Sequence, residues 1–128
     1  MSLTDRDRRR LAGVHPDLVR VVERAARDGT KFRVIEGLRS MDRQAEIVRA
    51  GRSQTMRSRH LTGHAVDLAA LDEAGKVTWA RPAYEALAAR VKAAAAVEGV
   101  QIEWGGDWRS FFDGPHFQLP WASIPNKG

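Results

Sequence analysis

The sequence contains no cysteine among its 128 residues. Disulfide bonds and thiolate metal ligands are therefore excluded, and a metal ion could be bound only by histidine, aspartate or glutamate. No apolar run approaches the ~20 residues that a membrane-spanning helix needs. Residues 1–10 are charged and lack the apolar segment of a classical signal peptide. We therefore expect no transmembrane segment and synthesis in the cytoplasm.

Acidic residues are in deficit, with 16 against 21 lysines and arginines, which gives a net charge of +5 and a pI near 10.4. A basic surface favours polyanions, although the same charge can serve solubility alone. The arginines are scattered, and no basic motif interleaved with aromatic residues indicates RNA binding. We therefore expect no nucleic-acid partner.

The length fits one hydrophobic core and is too short for two ordinary domains. A hydrophobic content of 43% and four tryptophans indicate a folded globule. We expect a single domain over residues 1–128.

Capping residues and the 3.6-residue periodicity of apolar positions predict four helices. They run from Thr4 to near Gly13, from Pro16 to before Gly29, from Ser40 through Arg49, and from about Pro82 to Glu98. Residues 52–62 are polar and without periodicity, which indicates a loop.

Short β-branched and aromatic runs predict the strands. They are Phe32–Ile35, Ala65–Ala69 with a hairpin partner at Lys76–Trp79, Val100–Trp104 and Pro115–Leu119. Helices come first and strands dominate the middle and end, without βαβ alternation. This order predicts the α+β class, with a small antiparallel sheet flanked by helices.

Two segments carry the chemistry, Ser58–Asp67 and Asp113–Phe117. Together they offer two imidazoles and a carboxylate as ligands, and a second carboxylate three residues before the last histidine. A catalytic zinc site needs three protein ligands, an open position for water and a nearby base. The helical His-Glu-x-x-His signature of common zinc proteases is absent. If the two segments meet in space, we expect a metallohydrolase of another architecture.

The motifs resemble those of a known family. Three motifs occur in this order: Ser-x-His-x-x-Gly-x-Ala-x-Asp, Trp-Gly-Gly-Asp-Trp and Asp-x-Pro-His-Phe. The same order is found in the zinc D-alanyl-D-alanine carboxypeptidase family, also called VanY-like, which this sequence therefore resembles. The family includes phage L-alanyl-D-glutamate endolysins. The upstream segment Gly37–Ser40 and Gln44 match as well, so the resemblance extends over about residues 34–119. It implies the zinc-binding fold of the hedgehog and DD-peptidase proteins.

The resemblance implies Zn²⁺ as the cofactor, with His60, Asp67 and His116 as its ligands. It makes Asp113 the general base, a position held by glutamate in some relatives. In that role Asp113 would accept a proton from water that the metal has acidified.

The resemblance also assigns Arg39 to the scissile carbonyl, and Ser58 and Gln44 to substrate contacts. It gives His64 no ligand role, so we expect that side chain to be structural or to support a ligand. Glu103 stays a candidate for the cleft wall.

Four other positions carry no specific role in the sequence. His15 precedes a helix and is expected at the surface, while Trp104, Trp108 and Phe117 are expected in the core or the cleft wall.

The implied substrate is the stem peptide of peptidoglycan, in the periplasm or cell wall. The missing signal peptide and the single domain, without a separate wall-binding domain, favour a phage endolysin that cleaves the L-alanyl-D-glutamate bond. The alternative within the family is a D-alanyl-D-alanine carboxypeptidase of wall metabolism. A third hypothesis is a non-enzymatic zinc-containing binding module. We expect a monomer whose basic charge helps it approach anionic wall or lipid.

Overall fold

The computed structural model describes residues 1–52, 58–109 and 111–120. Within these ranges the chain forms four α-helices, four strands and two short 3₁₀ helices at Arg59–Thr62 and Gly105–Asp107. In chain order the main elements are α1 (Asp5–Arg10), α2 (Pro16–Arg27), β1 (Phe32–Glu36), α3 (Met41–Arg49), β2 (Ala65–Ala70), α4 (Arg81–Glu98), β3 (Glu103–Trp104) and β4 (His116–Gln118). The predicted α+β class with a small antiparallel sheet is confirmed.

The four strands form one antiparallel sheet in the order β1-β2-β4-β3. Strand β2 lies in the interior of the sheet, and it is hydrophobic along most of its length because both of its faces are covered. Asp67 on β2 is the direct cross-strand partner of His116 on β4. The pairing of two distant parts of the chain therefore places these two side chains together.

The core lies between the sheet and helices α2 and α4. Apolar residues of α2 recur at helical spacing and are buried at Leu18, Val21 and Val22. Phe32 on β1 and Phe117 on β4 are completely buried in the same cluster. Burial of each such side chain stabilises the fold by about 1.5–3 kcal/mol. The strands that carry the site thus rest on a well-packed support.

Asp7 on α1 joins the N-terminal helix to the sheet. Its carboxylate accepts hydrogen bonds from the backbone N–H groups of Thr4 at 2.9 Å and of Val34 at 3.0 Å, and Arg33 lies 3.3 Å away. Burial alone would raise the pKa of Asp7, but these hydrogen bonds and the charge of Arg33 together hold its pKa below the usual value. A buried, ionised aspartate therefore fixes α1 against β1.

The hairpin pairing predicted for Lys76–Trp79 is present across the turn, but it is too short to make this segment a strand. Among the described residues only one isolated bridge pairs this segment with the end of β2, between Leu71 and Val77. The Tyr84 hydroxyl of α4 accepts from Ala70 N–H at 3.2 Å and donates to the Thr78 carbonyl at 2.9 Å. The hydroxyl thus occupies the Ala70 N–H and the Thr78 carbonyl, which would bond to each other in a longer β-ladder. The pairing of the two segments therefore ends there.

Other predicted boundaries shift by a few residues. The expected strand at Val100–Trp104 begins only at Glu103, because Val100 N–H donates to Ala95 carbonyl and completes the left-handed end of α4 at Gly99. The last strand is trimmed to His116–Gln118, and α1 ends at Arg10. The loop predicted at residues 52–62 contains a 3₁₀ helix at its end, and its residues 53–57 lie outside the described part.

Candidate metal centre

A short 3₁₀ helix and a tight turn place His60 beside β2. Ser58 caps this helix, since its hydroxyl accepts from His60 N–H at 3.2 Å. Gly63 ends it with a positive φ of 76°, and a Cβ atom there would collide with the carbonyl oxygen of Gly13. Only glycine satisfies both conditions. The chain then enters β2 and presents Asp67, so the spacing in the first motif reflects this turn.

His60, Asp67 and His116 meet as the sequence predicts. Asp67 Oδ1 lies 3.2 Å from His60 Nε2 and 3.4 Å from His116 Nδ1, and one donor atom from each residue lies within 4.8 Å of the others. Tetrahedral ligation with bonds of about 2.0–2.1 Å separates donor atoms by about 3.3 Å. Two imidazole nitrogens and one carboxylate oxygen are also the donor set of a catalytic zinc site. The residues present therefore fit such an ion.

The second nitrogen of each imidazole has its own partner. His60 Nδ1 lies 2.8 Å from the Gly37 carbonyl oxygen, and His116 Nε2 lies 2.8 Å from Gln118 Oε1. Both partners are acceptors, so each ring nitrogen that faces them carries the proton. The other two nitrogens face Asp67, and their lone pairs would become available to a metal ion that displaced their hydrogen bonds to that carboxylate. The sequence reasoning missed Gln118, although its position two residues after His116 on one strand puts both on the same face.

The cluster favours an ionised carboxylate at Asp67. Burial would raise the pKa of Asp67, but hydrogen bonds from His116 and His60 outweigh it and lower the pKa well below the usual range. Burial would likewise lower the pKa of His116, yet its hydrogen bond to Asp67 raises the pKa above the usual value. The Asp67 carboxylate is therefore ionised at neutral pH, as a metal ligand would need to be.

Asp113 lies next to this cluster in the same cleft. Its N–H donates to the Gly105 carbonyl at 3.1 Å, and a Cβ atom at Gly105 would collide with the carbonyl oxygen of Asp113. The glycine of the Trp-Gly-Gly motif thus allows the close approach. Burial and then the negative charge of Asp67 raise the pKa of Asp113. A raised pKa makes this carboxylate a stronger base than an exposed aspartate.

Arg39 is held beside the cluster by three hydrogen bonds to two acceptor atoms. Its Nε and Nη2 donate to one oxygen of Glu36 at 3.0 and 2.5 Å, and its Nη1 donates to Gln44 Oε1 at 2.7 Å. Its Nη2 also lies 3.6 Å from Asp67 Oδ2. The side chain is only 9% exposed, so its position is fixed before any ligand arrives. Glu36, three residues before Arg39, was missed because a carboxylate at the end of a strand has no distinctive sequence signal.

The two predicted substrate contacts differ in position. Ser58 lines the cleft, although its hydroxyl already accepts from His60 N–H. Gln44 is completely buried and is not among the described residues that line the cleft. Its side chain holds Arg39 instead, so burial argues against the substrate contact expected at this position.

The cleft has a volume of about 640 Å³. Its lining includes the positively charged Arg43 and Arg52 as well as Arg39, and the aromatic residues Trp108 and Phe111. Glu103 also lines the cleft, as the sequence suggested.

Trp104 is buried in the core and donates to the Gly114 carbonyl at 2.7 Å. The His64 ring packs against His15 in a tilted arrangement with ring centroids 5.3 Å apart, and its Nδ1 lies 2.6 Å from the Thr62 hydroxyl. His15 is half-buried and accepts from Asp17 N–H at 3.1 Å, so it caps α2; the expectation of a plain surface residue was wrong.

Comparison with known proteins identifies relatives of this chain. Residues 1–119 match the phage L-alanyl-D-glutamate peptidase family. The chain is 38% identical over 92 residues to the L-alanyl-D-glutamate peptidase of Listeria phage A118, covering 72% of this chain and 31% of that protein. It is 29% identical over 115 residues to the peptidoglycan L-alanyl-D-glutamate endopeptidase CwlK of Bacillus subtilis, covering 80% of this chain and 66% of that protein. The chain therefore spans about a third of the length of the Listeria phage protein and about two thirds of the length of CwlK.

A solved structure has the same fold as this chain. The crystal structure of the Serratia marcescens L-Ala D-Glu endopeptidase ChiX superposes with a TM-score of 0.89 at 53% identity, over 98% of this chain and 94% of that one. Together with the family match over most of the sequence, this shows that the chain belongs to the phage L-alanyl-D-glutamate peptidase family.

Proposed function

We propose that the chain is a zinc-dependent endopeptidase that cleaves the L-alanyl-D-glutamate bond of peptidoglycan stem peptides, as a phage endolysin does. The observation that carries the proposal is the His60–Asp67–His116 cluster, with Asp113 and Arg39 beside it in one open cleft. The names of the matched relatives support this scissile bond over the terminal D-alanyl bond.

In the proposed mechanism, His60, Asp67 and His116 would hold the ion. When bound, Zn²⁺ supplies Lewis-acid chemistry that polarises a carbonyl group and acidifies water. Asp113 accepts the proton of the attacking water on its carboxylate and passes it to the amine that leaves with D-glutamate. Its raised pKa suits both steps. Arg39 offers a fixed positive charge to the oxyanion that develops at the scissile carbonyl.

The charge of the cleft supports an acidic substrate. D-Glutamate keeps one free carboxylate, because only one of its two carboxyl groups is amide-linked in the peptide chain. Arg43 and Arg52 line the same cleft as Arg39 and can attract that carboxylate. Trp108 and Phe111 in the lining suit the apolar parts of the peptide.

The proposed site of action is peptidoglycan in the periplasm or cell wall, after synthesis in a host cytoplasm. In the part of the chain that the structure describes, no helix is both long and apolar enough to cross a bilayer. The net charge of +5 supports electrostatic attraction to anionic wall polymers or lipid. We propose that the protein acts as a monomer, without a nucleic-acid partner and without a separate wall-binding domain in residues 1–128.

Digestion of purified peptidoglycan, followed by mass spectrometry of the released fragments, tests the proposal. We expect peptides with N-terminal D-glutamate, loss of activity with a chelator and recovery with Zn²⁺. Release of free D-alanine without such peptides would instead indicate a carboxypeptidase.

The role of Asp113 is tested by Asp113→Asn, with Asp107→Asn as its control. Asp107 is an exposed carboxylate that pairs with Lys92 at 2.6 Å. Loss of a general base lowers the rate by about 10²–10⁴-fold, whereas the control should digest peptidoglycan at the wild-type rate. Equal activity of the two variants would remove Asp113 from the mechanism.

A further inference from the structure

A chain of hydrogen bonds runs from the wall of the cleft to His116. Gln118 Oε1 lies 2.8 Å from His116 Nε2, and Gln118 Nε2 donates to Glu103 Oε1 at 2.8 Å. Gln118 is only 5% exposed, and it is the direct cross-strand partner of Glu103. Neither side chain has a role in the mechanism above.

The chemistry of the three side chains determines which of them donates and which accepts in each of these two hydrogen bonds. An ionised carboxylate only accepts hydrogen bonds, so Glu103 must receive an N–H from the Gln118 amide. The amide then turns its oxygen, which also only accepts, toward His116. The nitrogen of His116 that faces this oxygen must carry the proton. Its other nitrogen, Nδ1, lies 3.4 Å from Asp67 Oδ1, and it is the nitrogen whose lone pair would be offered to a metal ion bound in the cluster.

We propose that Glu103 and Gln118 are positioning residues that fix the tautomer and ring orientation of His116, and thereby set the metal affinity of the site. This inference rests on the metal centre of the proposed function. His60 needs no equivalent device because its Nδ1 faces a backbone carbonyl, which has no alternative orientation. His116 faces a side-chain amide, which can be flipped, and the carboxylate removes that freedom.

The competing explanation is that the pair merely fastens β3 to β4. Both strands are short, with two and three residues, so a cross-strand hydrogen bond could serve stability alone. The two explanations differ in their effect on metal affinity. A fastening role lowers the melting temperature of the metal-free protein but leaves the affinity of the folded protein for metal unchanged.

The test measures the Zn²⁺ dissociation constant of the full chain by competition with a chromophoric chelator, and the melting temperature of the metal-free protein. Gln118→Leu removes the acceptor, and we expect metal affinity to fall by about 10–100-fold. Glu103→Gln keeps a hydrogen-bonding group but no longer dictates the amide orientation, so we expect a smaller loss. Asp107→Asn removes a carboxylate from the same segment without contacting His116, and it should bind Zn²⁺ as the wild type does.

The exchange variant E103Q/Q118E gives the sharpest result. The single variant Q118E still accepts from His116 but sets two carboxylates against each other across the strands. In the double variant an amide at position 103 can donate to a carboxylate at position 118, which accepts from His116. We therefore expect the double variant to regain metal affinity close to that of the wild type, above both single variants.

Wild-type affinity in Gln118→Leu and Glu103→Gln, at whatever melting temperature, would overturn the inference. So would a double variant that binds Zn²⁺ more weakly than both single variants. If the wild-type protein itself bound neither Zn²⁺ nor Co²⁺, the metal centre of the proposed function would fail first. The two failures are therefore distinguishable.

Discussion

Substitution of Asp7 tests how the N-terminal helix is attached to the sheet. Asp7→Ala leaves the N–H of Val34, in a buried strand, without its acceptor, which costs about 1–3 kcal/mol. It also removes the half of the capping box in which the Asp7 side chain accepts from Thr4 N–H, worth about 1 kcal/mol. The total is about 3 kcal/mol, and for a chain of this length it corresponds to a fall in melting temperature of roughly 10 °C.

The effect should depend on pH in a defined direction. The pKa of Asp7 is lowered in the folded state from the usual 3.8. Its ionised form therefore stabilises the fold above about pH 3.8, and this contribution is lost as the pH falls through the folded-state pKa. The difference in stability between the wild type and Asp7→Ala should thus be full at pH 7 and should shrink as the pH falls below 3.8.

Thermal unfolding followed by circular dichroism at several pH values measures both quantities. Asp5→Ala is the matched control, because Asp5 is an exposed acidic residue in the same first turn and has no buried partner in the described structure. We expect it to change the melting temperature by no more than a few degrees. A similar small change in Asp7→Ala, or a difference that grows in acid, would refute the reasoning.

Four further outcomes follow from the site. Gly63→Ala should reduce stability and metal affinity together, because a methyl group there meets the Gly13 carbonyl at positive φ; unchanged melting would contradict this. Saturation with Zn²⁺ at 100 times its dissociation constant should stabilise the protein by about 2.7 kcal/mol in denaturant unfolding. Gln44→Leu should slow peptide cleavage by releasing Arg39, with Zn²⁺ affinity as the unchanged control. Arg43→Gln should reduce the preference for a D-glutamate peptide over its amidated form by roughly tenfold in kcat/KM, and an unchanged preference would exclude Arg43 as the carboxylate contact.

Local chemistry made much of the site predictable. Glycine at position 63 is required by a turn, and histidine and aspartate on either side of it are ligand types that zinc prefers. Such preferences are properties of short segments, so they can be read directly from the chain. The same holds for the helix ends, where Thr4 and Ser40 cap α1 and α3 as expected.

The errors lie where distant contacts decide the outcome. Nothing local to residues 76–79 reveals that the Tyr84 hydroxyl occupies the backbone groups of a longer ladder. The family resemblance implied a substrate contact for Gln44, but helix α3 turns this side chain inward, where it is completely buried. Burial depends on how the whole molecule packs, so the burial of a single polar residue cannot be predicted from its residue type.

The sequence by itself determined the class of the fold, the candidate ligands and the absence of thiolate chemistry, because residue types and short spacings restrict these directly. Only the tertiary structure decided that β2 and β4 pair in the register that sets Asp67 opposite His116. It alone placed Arg39 between Glu36 and Gln44, and it alone joined Glu103 to His116 through Gln118. The physical reason is that donor–acceptor distances depend on strand register and burial, which arise from the packing of the whole chain.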